Sequence, residues 1–249
     1  HYRRFQEFAR QGNQYGLQPL VENIENAYAG WYLDKLAMAW GKIIEHEKLL
    51  ENWRIDGVKN QYDFYRSFVR DLSKSAKVYI VISDALRYEC AEELMRELNK
   101  DARKSGNAMH EAEITSMLGI LPSYTALGMA SLLPHENLDY RLTNSGVDVV
   151  ADGTSTAGIP NRDTILCRYN GKAIKYDQLM SMSRDQGRDF VRDASVVYIY
   201  HNVIDARGDS ASTEEGTFDA VRQTIADLQK IVNRLFDWNG SNVIITADH

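Results

Sequence analysis

The sequence predicts an α/β protein whose mainly parallel sheet is flanked by helices on both faces and is preceded by a helical extension. Three short, continuous apolar runs rich in β-branched residues predict fully buried strands at residues 78–82, 195–200 and 242–246. Amphipathic stretches with helical spacing lie between these runs. Because strands that alternate with helices form parallel sheets covered on both faces, this order favours the α/β class.

Residues 1–75 are predicted to form the helical extension. Apolar residues recur at helical spacing from Leu20 to Leu50 and again from Tyr62 to Leu72. The aromatic residues of this segment are interpreted as packing contacts rather than as a ligand-binding box, because large rings at helical spacing usually bury their area. They are Tyr28, Trp31, Tyr32, Trp40 and Trp53. We expect the extension to lie against the domain that follows it.

Residues 76–249 are predicted to form the core. One helix is predicted over residues 85–104, and a second over residues 213–236, each from a stripe of apolar side chains. Residues 137–193 are more polar, and we expect an irregular insertion around the edge of the sheet. Because the chain begins with His1 rather than Met and ends just after an apolar strand, we expect a fragment whose core is truncated at the C-terminal end.

The composition is typical of a globular protein, with 44% hydrophobic and 26% charged residues. A net charge of −6 argues against broad nucleic-acid binding, which needs a clustered basic surface. Two cysteines provide no disulfide framework, which favours a reducing cytoplasm. Because the sequence lacks the run of about eighteen apolar residues that spans a bilayer, we expect no membrane association.

Acidic or imidazole side chains follow all three predicted strands, where ligands gather in open α/β sheets. They are Asp84 after the first strand, His201, Asp205 and Asp209 after the second, and Asp248 and His249 after the third. Carboxylates held together repel one another unless a cation neutralises them. Oxygen ligands mixed with imidazole suit zinc or manganese better than calcium. Two alternatives stay open: the acids line a solvated rim, or Asp84 caps the next helix.

A hydroxyl nucleophile is available at Thr125, which follows a proline-bearing turn and stands near a predicted helix start. Backbone N–H groups at such a position favour a phosphate. Coordination to a metal ion would lower the pKa of the hydroxyl group. The alternative is that Thr125 is only the N-cap of the helix, and the local sequence by itself favours that alternative.

Three ordered segments carry a resemblance to a known superfamily. They are Ile82-Ser83-Asp84-Ala85-Leu86-Arg87-Tyr88-Glu89, Pro122-Ser123-Tyr124-Thr125 and Thr246-Ala247-Asp248-His249. Together they resemble the signatures of the alkaline phosphatase superfamily, over about residues 77 to 249. The Asp-Ala-Leu-Arg-Tyr-Glu form is similar to the PglZ family, the phosphatase-like components of bacterial phage-defence (BREX) systems. The resemblance implies an alkaline phosphatase-like core.

The resemblance also implies a ligand set. Asp84, Thr125, Asp248 and His249 would form one metal site, with Thr125 as the nucleophile, and Asp205 would belong to a second site. Up to two divalent ions, zinc or manganese, are expected in the full-length protein. Many superfamily members carry a Gly-His pair where this chain has Gly208-Asp209, so either Asp209 replaces the histidine as an oxygen ligand or the second site is altered. A further histidine of the superfamily pattern would lie beyond His249.

The function that follows is a metal-dependent phosphoester hydrolase, a phosphatase or phosphodiesterase with a Thr nucleophile, in phage defence. Its expected partners are a phosphoester substrate, with nucleotides and nucleic acids among the candidates, and other proteins of a defence complex. The alternative is a non-catalytic or weakly active metal-binding scaffold module, which the Gly208-Asp209 pair favours. A nucleotide-binding doubly wound domain is disfavoured because no GxGxxG turn follows the first strand. Arg87 is a candidate phosphate clamp, or else a salt-bridge partner of Glu89.

Overall fold

The computed structural model describes residues 2–11, 17–104, 111–144, 146–208 and 214–249. Its helices, in chain order, are α1 (Tyr2–Gln11), α2 (Gln18–Glu25), α3 (Asp34–His46), α4 (Leu49–Asn52), α5 (Tyr88–Lys104), α6 (Thr125–Ser131), α7 (Gly158–Cys167), α8 (Tyr176–Ser181), α9 (Arg184–Val191), α10 (Ile204–Gly208) and α11 (Glu214–Asp237). Its strands are β1 (Lys59–Asn60), β2 (Val78–Ser83), β3 (Met117–Leu118), β4 (Leu138–Thr143), β5 (Gly146–Ala151), β6 (Thr154–Ser155), β7 (Gly171–Lys175), β8 (Val196–His201) and β9 (Asn242–Thr246). Short π-helical segments span Asn26–Leu33 and Tyr65–Val69, and 3₁₀ turns span Gln61–Asp63 and Leu72–Lys74.

The central sheet contains four parallel strands in the order β7-β8-β2-β9. Val78, at the start of β2, is in register with Val196 of β8 and with Asn242 of β9. Every residue of β2 and β8 is buried, as expected for strands covered on both faces. The three predicted strands are therefore confirmed as parallel neighbours in one sheet. The expectation that β9 is fully buried is wrong, because β9 lies at one end of the strand order and its residues are half-buried.

Helices pack on both faces of this sheet, which confirms the predicted fold class. Alternate residues of β2 point to opposite faces, so Tyr79 and Val81 join one hydrophobic cluster while Ile80 and Ile82 join the other. The first cluster is completed by α5, α8, α9 and α11, and the second by α6, α7 and the π-helical turn at residues 65–69. The sheet therefore forms the middle of three layers.

The expectation of an irregular insertion over residues 137–193 is wrong. Strands β4, β5 and β6 form a separate antiparallel sheet, and β7 lies at the end of the central sheet opposite β9. The sequence of β7, Gly-Lys-Ala-Ile-Lys, has only two apolar residues in succession, and they stand between two lysines. Hydrophobic patterning detects such a strand poorly.

The N-terminal segment is helical, but three of its five aromatic side chains are not buried in a core. In residues 18–46, all of which the structure describes, no residue is buried, and Trp31, Tyr32 and Trp40 are exposed. Tyr32 still stacks on Tyr28, with ring centroids 5.8 Å apart, and Trp40 contacts Trp53 edge-on at 6.5 Å. Tyr28 stacks on Tyr2 of α1, with ring centroids 4.0 Å apart. Helical spacing shows that a helix has an apolar face, and it does not show that the same chain covers that face. The division of the chain at residue 75 stays a prediction.

Helix α5 begins at Tyr88, three residues later than predicted. Ala85 has a positive φ of 59°, in the left-handed region that interrupts a right-handed helix. The N–H of Leu86 donates to the carbonyl of Ser83 at 3.2 Å, which closes a turn before the helix. The second predicted helix agrees with α11 to within one residue at each end. Within the described residues, no helix is both long and apolar enough to cross a membrane.

Candidate metal centre

The carboxyl ends of β2, β8 and β9 lie at one edge of the sheet because the three strands are parallel. Asp84 follows β2 directly, and Asp248 comes two residues after the end of β9. Asp205 lies in the short helix α10, four residues after the end of β8. The parallel sheet therefore brings the three carboxylates to the same edge, as the strand order predicts.

Asp84, Asp248 and His249 form a compact cluster, with one possible ligand atom from each residue within 4.8 Å of the others. His249 Nδ1 lies 3.0 Å from Asp248 Oδ2 and 3.8 Å from Asp84 Oδ1. Asp84 and Asp248 are buried, whereas 27% of the His249 side chain is accessible to solvent. These two carboxylates are therefore not part of a solvated rim.

Two oxygen atoms of this cluster lack the hydrogen-bond donors that buried carboxylates require. Asp84 Oδ1 and Asp248 Oδ2 are buried and accept no hydrogen bond from any residue that the structure describes. The other oxygen of Asp248, Oδ1, accepts from the N–H of Ala85 at 3.2 Å. Two adjacent carboxylates without compensation are unfavourable in a protein interior.

The pKa of Asp84 reflects the same uncompensated negative charge. Burial, and next the carboxylate of Asp248 and that of Asp205, raise the pKa of Asp84 to about 7, while His249 opposes this shift. A divalent cation among these atoms would neutralise the carboxylates and occupy the two oxygen atoms that lack partners. The residues therefore fit a cation, and a mixture of carboxylate oxygen with imidazole nitrogen is the chemistry of a zinc or manganese site.

The predicted ligands of a second ion are only partly described. Asp205 is half-buried and close enough for its charge to raise the pKa of Asp84, but it is not a member of the three-residue cluster. Asp209 lies outside the described residues. The second site stays a prediction.

Thr125 is the first residue of α6, and the N-cap is Tyr124, so the alternative that Thr125 itself is the N-cap is wrong. No described residue forms a hydrogen bond with its hydroxyl group. Residues three apart share a face of a helix, so Thr125 lies on the same face as Gly128. Gly128 packs directly against the backbone of Asp248, since a Cβ atom added there would lie 2.7 Å from the Asp248 carbonyl carbon. The helix face that carries Thr125 is therefore the face that contacts the metal-ligand segment.

Two other predicted residues lie outside the cluster. Arg87 is exposed and forms no ion pair with Glu89 or with any other described acid, so the predicted salt bridge is not formed. His201 is buried, its Nδ1 lies 3.1 Å from Ser83 Oγ, and burial is the main cause that lowers its pKa. Its carbonyl accepts the N–H of Asp84 at 2.9 Å. His201 therefore supports the end of β2 through hydrogen bonds.

Gln61 is a residue of this site that the sequence did not indicate. It is buried at 2% exposure, and its Nε2 donates to the carbonyl of Asp248 at 2.6 Å. Its Oε1 accepts the N–H of Ile120 at 2.9 Å. A single glutamine carries no pattern that predicts such a role. Gly128 offered a weak signal, because glycine inside a helix costs about 1 kcal/mol and often marks a close approach.

Residues 64–249 match the family described as the BREX system PglZ alkaline phosphatase-like domain. The chain belongs to this PglZ family. It is 45% identical to the alkaline phosphatase-like protein BrxZ of Escherichia coli O9:H4 (strain HS), over 258 aligned positions that cover 100% of this chain and 29% of BrxZ. It is 42% identical to the alkaline phosphatase-like protein PglZ of Bacillus cereus (strain H3081.97), over 238 positions that cover 94% of this chain and 27% of that protein.

The chain spans less than a third of the length of these two relatives. The region matched to the PglZ family contains the Asp84, Asp248 and His249 cluster together with Thr125 and Asp205. Gln61 lies just before that region. Membership of an alkaline phosphatase-like family and the geometry of the cluster agree on a site suited to divalent cations.

Proposed function

We propose that this PglZ domain is the catalytic core of a metal-dependent phosphoester hydrolase, a phosphatase or phosphodiesterase, in bacterial phage defence. One observation carries the proposal: Asp84 Oδ1 and Asp248 Oδ2 are buried and accept no hydrogen bond from the described residues, and the imidazole Nδ1 of His249 lies 3.8 Å and 3.0 Å from them. A buried pair of this kind is the expected form of a cation site.

The residues proposed to hold the first ion are Asp84, Thr125, Asp248 and His249, and those proposed for a second ion are Asp205 and Asp209. When bound, a divalent ion such as zinc or manganese supplies positive charge that stabilises the attacking and leaving oxygen atoms and lowers the pKa of a hydroxyl group.

In the proposed reaction, the Thr125 hydroxyl oxygen attacks the phosphorus atom in line with the ester bond. The bond from phosphorus to the leaving oxygen breaks, and the leaving alcohol carries away the proton that Thr125 gave up. Water then attacks the phosphothreonine, releases the phosphate and restores the hydroxyl group. The position of Thr125 supports this role, because Thr125 lies on the helix face that packs against the backbone of Asp248.

The partners proposed for the whole protein are a phosphoester substrate, such as a nucleotide or a nucleic acid, and other proteins of a defence complex. The family description supports the second of these, since it assigns PglZ domains to BREX systems.

A second candidate function is a metal-binding scaffold module with little or no turnover. The Gly208-Asp209 pair favours it, because many members of the superfamily have Gly-His at that point, and an altered second ion site is the alternative to Asp209 as an oxygen ligand.

The deciding experiment combines metal content and hydrolysis on one sample of the full-length protein. Phosphomonoesters and phosphodiesters are offered with zinc and with manganese, and the metal content is measured in parallel. Bound metal together with hydrolysis of either ester class supports the hydrolase. Bound metal without hydrolysis of either class favours the scaffold module, and a full-length protein that binds neither metal contradicts both functions.

A further inference from the structure

The amide of Gln61 connects two chain segments that are far apart in the sequence. Its Nε2 donates to the carbonyl of Asp248, 187 positions away, and its Oε1 accepts from the N–H of Ile120. Both partners are backbone groups, so these contacts depend on the path of the chain rather than on the neighbouring side chains. The amide is uncharged, so it does not compete with carboxylates for a cation.

The Asp248 carbonyl is enclosed from two sides. Gly128 of α6 contacts it directly, since an added Cβ would lie 2.7 Å from the carbonyl carbon, and Gln61 supplies its hydrogen-bond donor. A buried carbonyl without a donor is unfavourable, so the contact with Gly128 requires a donor such as Gln61. The backbone of Asp248 carries its own carboxylate and the imidazole of the next residue, His249. Gln61 and Gly128 therefore determine where two members of the cluster lie.

The second backbone partner of Gln61, Ile120, lies five residues before Thr125 in the sequence. Strand β1 pairs in parallel with β3, with Lys59 opposite Met117. The indole Nε1 of Trp53 donates to the carbonyl of Gly119 at 2.6 Å. Together with Gln61, these contacts hold residues 117–120, and five residues later the chain begins α6 at Thr125. The N-terminal segment therefore anchors the connection that ends at the proposed nucleophile.

We propose that Gln61 is a positioning residue, which holds the metal-ligand segment 248–249 and the segment 120–125 at a fixed separation. This inference rests on the proposed function, and it assigns part of the site to a residue outside the region matched to the family. A planar amide that donates on one side and accepts on the other sets the distance between the two backbones. Proximity of ligands and nucleophile is what an in-line attack requires.

The test replaces Gln61 in the full-length protein and measures zinc and manganese affinity by calorimetric titration, with urea unfolding in parallel. Gln61→Met keeps the length of the side chain and removes both hydrogen bonds. Groups that orient metal ligands typically contribute 10–100-fold to metal affinity, so we expect both metals to bind at least about tenfold more weakly. At saturating metal, kcat should fall more than KM changes, because the nucleophile segment loses its anchor while substrate contacts remain.

The matched control is Thr156→Val, which removes one buried hydrogen bond away from the site. Thr156 is as buried as Gln61, at 2% exposure, and its Oγ1 donates to the carbonyl of Val149 at 2.8 Å. Its replacement should lower the free energy of unfolding and leave the metal affinity unchanged. A purely structural role for Gln61 predicts the same behaviour for both variants.

Metal binding that weakens in Gln61→Met and not in Thr156→Val supports the inference. Unchanged affinity in Gln61→Met, or an equal loss in both variants, overturns it while the proposed function stands. If Gln61→Met does not fold, Gln61→Ala removes the same hydrogen bonds without placing a thioether against the carbonyl, and its metal affinity decides the question by the same criteria. Failure of the unmodified protein to bind either metal overturns the proposed function and this inference with it.

Discussion

Gly128→Ala should weaken metal binding, although the replacement of glycine by alanine within a helix ordinarily stabilises the protein. The added Cβ would overlap the Asp248 carbonyl oxygen, and it would lie 2.7 Å from the carbonyl carbon and 3.2 Å from the Asp248 Cβ. Ordinary contact between carbon atoms is about 3.5–4.0 Å, so the first distance is about 1 Å too short. The obstructing atoms belong to the backbone, so no side-chain rotation relieves the clash. Helix α6 or the segment that carries Asp248 and His249 must therefore move by a similar amount.

The magnitude follows from two opposing effects. Overpacking costs about 1–3 kcal/mol, while the helix preference for alanine returns about 1 kcal/mol, so the net loss of stability should stay below about 2 kcal/mol. Metal sites tolerate ligand displacements of only about 0.2 Å, so the zinc affinity should fall by tenfold or more, which a calorimetric titration measures.

The control for this variant is Gly41→Ala in the exposed helix α3. An added Cβ at Gly41 meets no atom within 4 Å, so the substitution should stabilise the protein by roughly 0.5–1 kcal/mol and leave zinc affinity unchanged. A Gly128→Ala protein that binds zinc as tightly as the unmodified protein would refute the proposed involvement of Asp248 as a ligand.

Three further predictions concern the proposed ligands and nucleophile. Thr125→Ala should lower the rate of phosphoester hydrolysis by several orders of magnitude in a steady-state assay, while metal binding persists. Thr125→Ser should retain some activity, since only the alanine variant lacks the attacking oxygen. Hydrolysis by Thr125→Ala at the unmodified rate would exclude the covalent mechanism. Zinc at a hundred times its Kd should stabilise the fold by about 2.7 kcal/mol, which raises the melting temperature. A chelator should reverse this rise, and Asp248→Asn should largely abolish it. A melting temperature that does not change with zinc would argue against the site. In the metal-free protein, the free energy of unfolding should fall as the pH rises from about 4 to about 7. The reason is that the pKa of Asp84 in the folded state is raised to about 7. The folded protein therefore keeps a proton that the unfolded chain releases near pH 4. Asp84→Asn should flatten that dependence of melting temperature on pH, and an unchanged slope would show that another group is responsible.

Local sequence was sufficient for the central strands and for the acids that follow them. The runs at β2, β8 and β9 are apolar without alternation, which is typical of strands covered on both faces, and β2 and β8 are buried throughout while β9 is half-buried. Parallel strands place their carboxyl ends at one edge of the sheet, so the strand order alone predicts that Asp84 and Asp248 lie close together there. The same local rules failed for β7, whose two apolar residues between lysines are too short a run to indicate a strand, and for Trp31, whose exposure the helical spacing could not reveal.

The sequence by itself determined the fold class, the parallel central strands and the residue types at their ends, because these depend on periodicity within about ten residues. Only the tertiary structure decided that two buried oxygen atoms of the Asp84, Asp248 and His249 cluster accept no hydrogen bond from the described residues. It also decided the roles of Gln61 and Gly128, which contact Asp248 across 187 and 120 positions of the chain. Such contacts depend on how whole segments pack, and an isolated glutamine or glycine leaves no periodic pattern from which that packing can be predicted.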